Sequence, residues 1–129
     1  MSDHLKSYLS DRVVVVTGAA SGFGRLICQL TAARGAAVVA ADVTEDGLKT
    51  LVAEIEEAGG RAAYRRTDVT GRADTNELGA FAVETFGAID VLVNSAGTMP
   101  LAFCADHAAA AEAWDRCIDV NFKGVLHGI

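Results

Sequence analysis

Residues 13 to 24 join an apolar run to a glycine-rich loop, and this pairing leaves few folds open to the chain. Four consecutive valines, Val13 to Val16, favour a strand that is buried on both faces, as in a parallel sheet. The loop that follows has the spacing Gly-x3-Gly-x-Gly, at Gly18, Gly22 and Gly24, and it opens an amphipathic helix. We therefore predict a glycine-rich turn between a buried strand and the N-terminus of a helix.

The three glycines of this loop suit the binding of a dinucleotide. Gly18 permits a tight turn, whereas Gly22 and Gly24 lack the Cβ atoms that would obstruct a pyrophosphate and the close packing of helix on strand. The anion would lie on the free N–H groups at the helix N-terminus, where the helix dipole also favours negative charge. Because glycine-rich turns are common, the flanking strand, the flanking helix and an acidic residue further on carry the inference.

Composition narrows the class of protein. The 129 residues fit one domain, and a hydrophobic fraction of 51% with a mean hydropathy of +0.28 is enough for a packed core. The formal net charge of −6 and the pI of about 4.9 argue against nucleic acid or an anionic membrane as a partner, since either needs a basic patch. No apolar run approaches the roughly 20 residues of a membrane span, and the N-terminus lacks a signal-peptide core, so we expect a cytoplasmic protein.

The cysteines and histidines indicate neither a disulfide framework nor a metal site. Cys28, Cys104 and Cys117 are odd in number and include no Cys-x-x-Cys pair, so we interpret them as reduced, packing thiols. The histidines share no ligand-like spacing, and solvated or capping roles are expected for them. They are His4, His107 and His127.

Strand-like and helix-like segments alternate four times along the chain, which indicates consecutive βαβ units. Strands are predicted at 13 to 16, 36 to 41, 61 to 68 and 88 to 94, with the third nearest a sheet edge because it is the most polar. The helices between them are predicted from their apolar stripes: Leu26, Ile27, Leu30 and Ala33 in the first; Leu48, Leu51, Val52 and Ile55 in the second, which Thr44 could cap; Leu78, Phe81, Ala82, Thr85 and Phe86 in the third.

Right-handed crossovers make these strands a parallel sheet with helices on both faces, an α/β fold of the Rossmann type. The expected strand order is 3-2-1-4, with the ligand at the switch between the first and fourth strands. A last helix is predicted from about Ala108 to the end of the chain. Its apolar residues spread over more than one stripe, so one side could cover the sheet and another could meet a partner chain. They include Trp114, Ile118, Phe122, Leu126 and Ile129.

Asp42 ends the second predicted strand and follows Gly24 by 18 residues. A carboxylate at this place would accept hydrogen bonds from the adenosine ribose hydroxyls and would repel a 2′-phosphate. Ser21 and Val43, the positions that could supply a compensating cation, carry no charge. NAD is therefore predicted in preference to NADP. The alternative is that Asp42 is only a turn residue at a strand end.

Four motifs follow one another along the chain: Thr17-Gly18-x3-Gly22-x-Gly24, Asp68-Val69, Asn94-Ser95-Ala96-Gly97 and Asp119-Val120-Asn121. Together they resemble the N-terminal signatures of the short-chain dehydrogenase/reductase family, over essentially the whole chain. One difference lies at Ser95, where the family usually has a second asparagine.

The resemblance implies an oxidoreductase that transfers hydride between NAD(P) and an alcohol or ketone. It also implies that Asp68 approaches the adenine amino group, that Val69 lines the adenine pocket, and that the turn from Asn94 to Gly97 steadies the central strand. Asn121 would be the active-site asparagine, which kinks its helix and holds a water in the proton relay. The alternatives are structural: helix capping for Asp68 and Val69, satisfied backbone groups for Asn94, and a buried amide bonded to carbonyls for Asn121.

The candidate site thus consists of residues in the loops that follow the strands, together with one residue of the last helix. The predicted cofactor-binding residues are Thr17, Gly18, Ser21, Gly22, Phe23, Gly24, Asp42, Val43, Asp68, Val69, Asn94, Ser95, Ala96 and Gly97. Asn121 is the predicted catalytic residue, and no metal ligand is predicted.

The family's proton chemistry uses a Tyr and a Lys four residues apart, and this sequence has no such pair. Tyr8 and Tyr64 are followed, four residues on, by Arg12 and Asp68. The resemblance therefore implies that residues 1–129 are the cofactor-binding half of an oxidoreductase, truncated before the fifth strand and inactive alone. The alternatives are a non-catalytic dinucleotide-binding or interaction module and one chain of a split enzyme. A homo-oligomer, or association with a missing C-terminal half, is the expected assembly.

Overall fold

A computed structural model describes residues 8–98 and 107–129, and it contains a four-stranded parallel sheet. The strands are β1 (Val13–Thr17), β2 (Ala37–Asp42), β3 (Arg61–Arg66) and β4 (Val91–Asn94). The helices are α1 (Gly22–Ala33), α2 (Glu45–Glu57), α3 (Arg72–Phe86), α4 (His107–Ile118) and α5 (Gly124–Gly128). A π-helical turn, Asp119–Lys123, joins α4 to α5.

The sheet has the order β3-β2-β1-β4, which confirms the predicted doubly wound topology. Thr17 at the end of β1 pairs with Ala41 of β2 on one side and with Asn94 of β4 on the other. β3 lies at an edge, as its polar sequence predicted, and Asp42 pairs with Arg66 there. This register brings the carboxyl ends of all four strands to the same edge of the sheet.

Alternate valines of β1 pack into two separate cores, one on each face of the sheet. Val14 and Val16 join a cluster formed with α1 and α2, whereas Val13 and Val15 join a cluster formed with α3. All five residues of β1 are buried. The valine run is therefore apolar throughout because helices cover both of its faces, as in other parallel sheets.

The buried face of the second helix was predicted correctly, and that of the first only in part, since Ile27 alone of its predicted stripe packs against the core. Leu48, Leu51, Val52 and Ile55 are the buried residues of α2, as expected. In α1 the buried residues are instead Gly24, Cys28 and Ala32, while Leu26 and Leu30 are exposed. Small side chains face inward because α1 lies so close to the preceding loop that a Cβ on Gly24 would overlap the Gly18 carbonyl oxygen. Burial raises the pKa of the Cys28 thiol to about 12, which fits a packing thiol.

Two local predictions need correction. Thr44 precedes α2, but its side chain makes no capping hydrogen bond. The fourth strand begins at Val91 rather than at residue 88, and it is half-buried rather than buried. Asp90 directly precedes the strand, and its carboxylate accepts a hydrogen bond from the Val13 N–H at 2.8 Å. Among the strands described, β4 pairs with β1 alone.

The helix that ends the chain begins at His107, close to the predicted start at Ala108. Its π-helical turn contains Asn121, the residue at which the family resemblance implied a kink. Within residues 8–98 and 107–129, no helix is long and apolar enough to cross a membrane.

Candidate functional site

A cleft of about 410 Å³ opens where the carboxyl ends of the strands meet. Loops after all four strands contribute to its walls, and the C-terminal helix closes one side. The lining residues are Gly18, Ser21, Gly22, Phe23, Asp42, Val43, Thr67, Asp68, Val69, Ser95, Ala96, Gly97, Thr98, Arg116 and Val120. The cleft therefore lies between β1 and β4, at the topological switch point where doubly wound sheets bind ligands.

Gly18 brings the β1–α1 loop against the turn that follows β4. Its φ of +67° lies in the left-handed region, and a Cβ there would lie 2.6 Å from the Ser95 carbonyl oxygen and 2.7 Å from Ala96 Cα. Glycine is the residue type that meets both requirements, since it has no Cβ and adopts positive φ at little cost.

The N-terminus of α1 lies at the cleft without a side chain to satisfy it. Ser21 is the N-cap residue but makes no side-chain capping hydrogen bond, and the first turn of α1 contains no acidic residue. Gly22 follows with a φ of +58°, and no atom lies within 4 Å of the place a Cβ would occupy. The first N–H groups of α1 therefore remain suited to an anion, which the helix dipole would also attract.

Thr17 shapes the cleft from behind its wall rather than lining it. The Thr17 side chain is buried, and its hydroxyl oxygen accepts hydrogen bonds from the N–H groups of Ser95 at 3.2 Å and Ala96 at 3.3 Å. Thr17 thereby ties the end of β1 to the turn after β4, across 78 positions of sequence.

Asp42 links its own loop to the glycine-rich loop. One carboxylate oxygen accepts a hydrogen bond from the Ala20 N–H at 3.0 Å, and the other accepts one from the Thr44 N–H at 3.1 Å. A carboxylate oxygen has two acceptor positions, so each oxygen retains capacity for a further donor. Asp42 is partly exposed and lines the cleft, so a ligand hydroxyl can reach it.

Asp68 is held as a carboxylate by its neighbour in the chain. The Thr70 hydroxyl and N–H both donate to the same Asp68 oxygen, at 2.7 Å and 3.0 Å. These hydrogen bonds lower the pKa of Asp68, and the positive charges of Arg116 and Arg66 lower it further. The Asp68 N–H in turn donates to the Asp74 carboxylate at 3.0 Å, which anchors this loop to α3.

Asn121 holds the chain segment that follows β4. Its side-chain oxygen accepts from the Thr98 N–H at 2.8 Å, and its side-chain nitrogen donates to the Thr98 carbonyl at 2.7 Å. The same nitrogen lies 3.3 Å from the Cys117 sulfur, one turn earlier. Asn121 is exposed, so the structural alternative of a buried amide is wrong about burial, although the side chain does bond to a carbonyl.

Most of the predicted site residues line the cleft, and the others lie outside its lining. Gly18, Ser21, Gly22, Phe23, Asp42, Val43, Asp68, Val69, Ser95, Ala96 and Gly97 line the cleft, whereas Thr17, Gly24, Asn94 and Asn121 do not. Asn94 borders a separate cavity of about 540 Å³, and its side-chain oxygen would overlap a Cβ at Gly128. His4, Cys104 and most of the predicted connection from Thr98 to His107 lie outside the described residues.

Four lining residues were missed by the sequence reasoning: Thr67, Thr98, Arg116 and Val120. Arg116 and Val120 are four positions apart on the last helix, so they share a face. That spacing was visible in the sequence. The spacing alone did not identify these two residues as part of the site, because nothing in the local sequence indicates which face of this helix meets the β3–α3 loop.

A family model described as short chain dehydrogenase matches residues 12–129. The chain belongs to this family. An uncharacterized oxidoreductase of Listeria monocytogenes is 36% identical over 121 residues, which cover 94% of this chain and 48% of that protein. An uncharacterized oxidoreductase of Bacillus subtilis is 38% identical, over 93% of this chain and 33% of that protein.

Solved structures of short-chain dehydrogenases are similar to this chain in fold as well as in sequence. One from Burkholderia phymatum, in complex with NAD, has a TM-score of 0.86 and 38% identity, covering 93% of this chain and 42% of its own. One from Mycobacterium smegmatis has a TM-score of 0.87 and 33% identity, and the match covers 93% of this chain and 50% of its own. The chain therefore spans half or less of the length of these relatives.

Proposed function

We propose that this chain forms the NAD-binding portion of an oxidoreductase that moves hydride between a nicotinamide cofactor and an alcohol or ketone. One observation carries the proposal: the glycine-rich loop, Asp42 and Asp68 all line a single cleft at the switch point of the sheet. The structural neighbour from Burkholderia phymatum, solved with NAD, supports the same cofactor class. Residues 1–129 would then be a cofactor-binding domain, N-terminal in a longer enzyme.

The described residues fit a dinucleotide at three places. The uncapped N-terminus of α1, with the open space beside Gly22, would hold the pyrophosphate. Asp42 would accept hydrogen bonds from the adenosine ribose hydroxyls, and Asp68 would accept one from the adenine amino group. Val69, which lines the cleft while itself only 7% exposed, would supply an apolar wall for the adenine.

We propose NAD rather than NADP because Asp42 would repel a 2′-phosphate. Arg116 also lines the cleft, but its charge acts on Asp68, at the end that we assign to adenine. The bound nicotinamide would accept or donate the hydride. The contribution of Asn121 would be positional: it holds Thr98 beside the cleft, and an amide is neither a useful acid nor a useful base near neutral pH.

The proposal is tested by calorimetric titration of the purified protein with NADH and with NADPH. We expect NADH to bind more tightly, and tighter binding of NADPH would contradict the assignment. The variant Asp42→Asn should reduce the preference for NADH, measured as the ratio of the two dissociation constants, by about tenfold. The substitution removes the charge while keeping an oxygen acceptor. Asp46→Asn is the matched control, because Asp46 is exposed in the first turn of α2 and does not line the cleft.

A second candidate is a non-catalytic dinucleotide-binding or interaction module. Such a module would bind the cofactor without turnover, so it would need no Tyr-x3-Lys pair, and residues 1–129 contain none. The third candidate is one chain of a split enzyme. A neighbouring gene that encodes the missing Tyr and Lys would favour the split enzyme, and an in-frame continuation of this gene would favour a longer single chain.

A further inference from the structure

His127 reaches from the last helix to the backbone of the loop that carries Asp68 and Val69. The ring Nδ1 of His127 lies 2.7 Å from the Val69 carbonyl oxygen, across 58 positions of sequence, at a partly buried place. A carbonyl oxygen can only accept, so Nδ1 carries the hydrogen and donates it. This contact gives His127 a specific partner, in place of the solvated or capping role that the sequence suggested.

A second contact between the same two elements supports the first. Gly124 is buried, and a Cβ at this position would lie 2.7 Å from Val69 Cγ2 and 3.2 Å from Val69 Cβ. Gly124 and His127 are three positions apart, so they lie on one face of α5. The helix therefore meets Val69 twice, with a hydrogen bond to its backbone and close packing against its side chain.

The residues on either side of Val69 are fixed by other bonds. The Asp68 N–H donates to Asp74, and the Thr70 N–H and hydroxyl donate to Asp68. These bonds orient the loop with respect to α3, and they leave the position of Val69 relative to the C-terminal helix to the contacts with Gly124 and His127. Val69 lines the cleft, so a shift of its backbone would move the wall of the cleft.

We propose that His127 is a positioning residue for the adenine end of the cleft: its Nδ1–H holds the Val69 carbonyl so that the Val69 side chain forms the wall against which adenine packs. The inference rests on the proposed function, because it assigns this end of the cleft to adenine. His127 does not line the cleft, so its effect on a ligand passes through Val69.

Two substitutions separate the hydrogen bond from the bulk of the side chain. In His127→Asn the side-chain N–H occupies the place of Nδ1, and in His127→Gln it lies one atom further out, nearer the place of Nε2. We expect His127→Gln to weaken the binding of ADP-ribose by roughly threefold to tenfold, the usual effect of one lost hydrogen bond, and His127→Asn to retain most of the affinity. His127→Phe, which keeps a ring and loses the donor, should behave like His127→Gln.

ADP-ribose is the probe for the adenine end, and nicotinamide mononucleotide, which has no adenosine, is the control ligand. Binding is followed by calorimetry for the first and by ligand-induced NMR shifts for the second, since these detect weak binding. The affinity for nicotinamide mononucleotide should be the same in all variants. Lys123→Ala is the matched control on the preceding turn, because Lys123 is exposed and does not line the cleft.

The outcomes distinguish this inference from the proposed function. If the wild-type protein fails to bind ADP-ribose, the proposed function is wrong and the inference is wrong with it. If the wild-type protein binds ADP-ribose and His127→Gln and His127→Phe bind it equally well, only the inference is wrong. If His127→Asn and His127→Gln lose the same amount of affinity for ADP-ribose, the inference is also wrong. It is wrong as well if the variants lose affinity for nicotinamide mononucleotide to the same extent as for ADP-ribose. Either result would be explained by a general loss of structure.

Discussion

Two carboxylates in the cleft illustrate how single residues acquire a role through their backbone neighbours. The Asp42 carboxylate accepts hydrogen bonds from N–H groups of two different loops. The Asp68 carboxylate instead accepts two hydrogen bonds from Thr70, two positions along the chain. The first arrangement joins parts of the site to one another. The second keeps a carboxylate ionised at the place where we propose that it accepts the adenine amino group.

The variant Thr70→Val should raise the pKa of Asp68 toward its ordinary value, because the Thr70 hydroxyl is the largest cause of the lowering. A carboxyl group whose pKa is lower in the folded than in the unfolded state stabilises the folded state. This contribution is fully present above the unfolded-state pKa, and it is lost as the pH falls through the folded-state pKa. The measurement is an NMR titration of the Asp68 carboxyl carbon in the acidic range. Arg116→Gln is the comparison, and a larger rise there than in Thr70→Val would contradict the assignment.

At the scale of elements, the site depends on the close approach of loops that lie far apart in sequence. The β1–α1 loop touches the turn after β4 at Gly18, and Thr17 bonds to the same turn. The C-terminal helix touches the β3–α3 loop at Val69 and the segment after β4 at Thr98. Two of these approaches are too close to admit even a Cβ atom, that of Gly18 to the turn after β4 and that of Gly124 to Val69.

Gly18→Ala should lower the free energy of unfolding and abolish cofactor binding. The new Cβ would lie 2.6 Å from the Ser95 carbonyl oxygen, in addition to the strain of a φ of +67°. Gly59→Ala is the matched control, since its φ of +87° carries similar strain but no atom lies within 4 Å. We expect about 1 kcal/mol of destabilisation in the control and clearly more in Gly18→Ala, measured by urea unfolding. Equal destabilisation of the two variants would show that the approach to Ser95 has no energetic effect.

At the scale of the whole molecule, we expect the purified 129-residue chain to show no dehydrogenase turnover with simple secondary alcohols or ketones. It has no Tyr-x3-Lys pair to exchange the proton, and the amide of Asn121 cannot replace one. The measurement is the absorbance of reduced nicotinamide after rigorous purification. Turnover that persists through purification and disappears in Gly18→Val would refute this expectation.

The C-terminal helix also presents more apolar surface than the sheet covers. Ile118, Phe122 and Leu126 recur every four residues and are 54%, 64% and 52% exposed, and Ile129 is 92% exposed. β4 adds backbone groups that no other described strand pairs. We therefore propose that this chain is not a stable, soluble monomer, and that it oligomerises, aggregates or binds a missing C-terminal half.

Sedimentation velocity over a concentration series tests the assembly of the molecule. We expect more than one species, or a species larger than a monomer, and a melting temperature that depends on concentration. Phe122→Ser should shift the distribution toward smaller species, because it removes the largest exposed apolar side chain of the stripe. A single monomeric species at every concentration, with a melt independent of concentration, would show that the exposed stripe needs no partner.

Much of the fold follows from local patterns in the sequence. The valine run predicted a strand with two covered faces, and the spacing of Leu48, Leu51 and Ile55 predicted which face of α2 is buried. The strand order was expected from the usual order of Rossmann-type sheets, whereas the handedness of the crossovers predicted a parallel sheet with helices on both faces. These features depend on residues that are near one another in sequence, so a single sequence determines them.

The contacts between elements were decided by the tertiary structure alone. α1 turned Gly24, Cys28 and Ala32 inward, where apolarity alone favoured Leu26, because the helix packs against the glycine-rich loop. His127 meets Val69 across 58 positions, and no local signal marks that pairing. Periodicity tells which residues of a helix share a face, but the distance between two packed elements depends on every side chain between them. The sequence thus determined the sheet, its order and the glycine-rich loop, while only tertiary packing decided which residues hold the walls of the cleft.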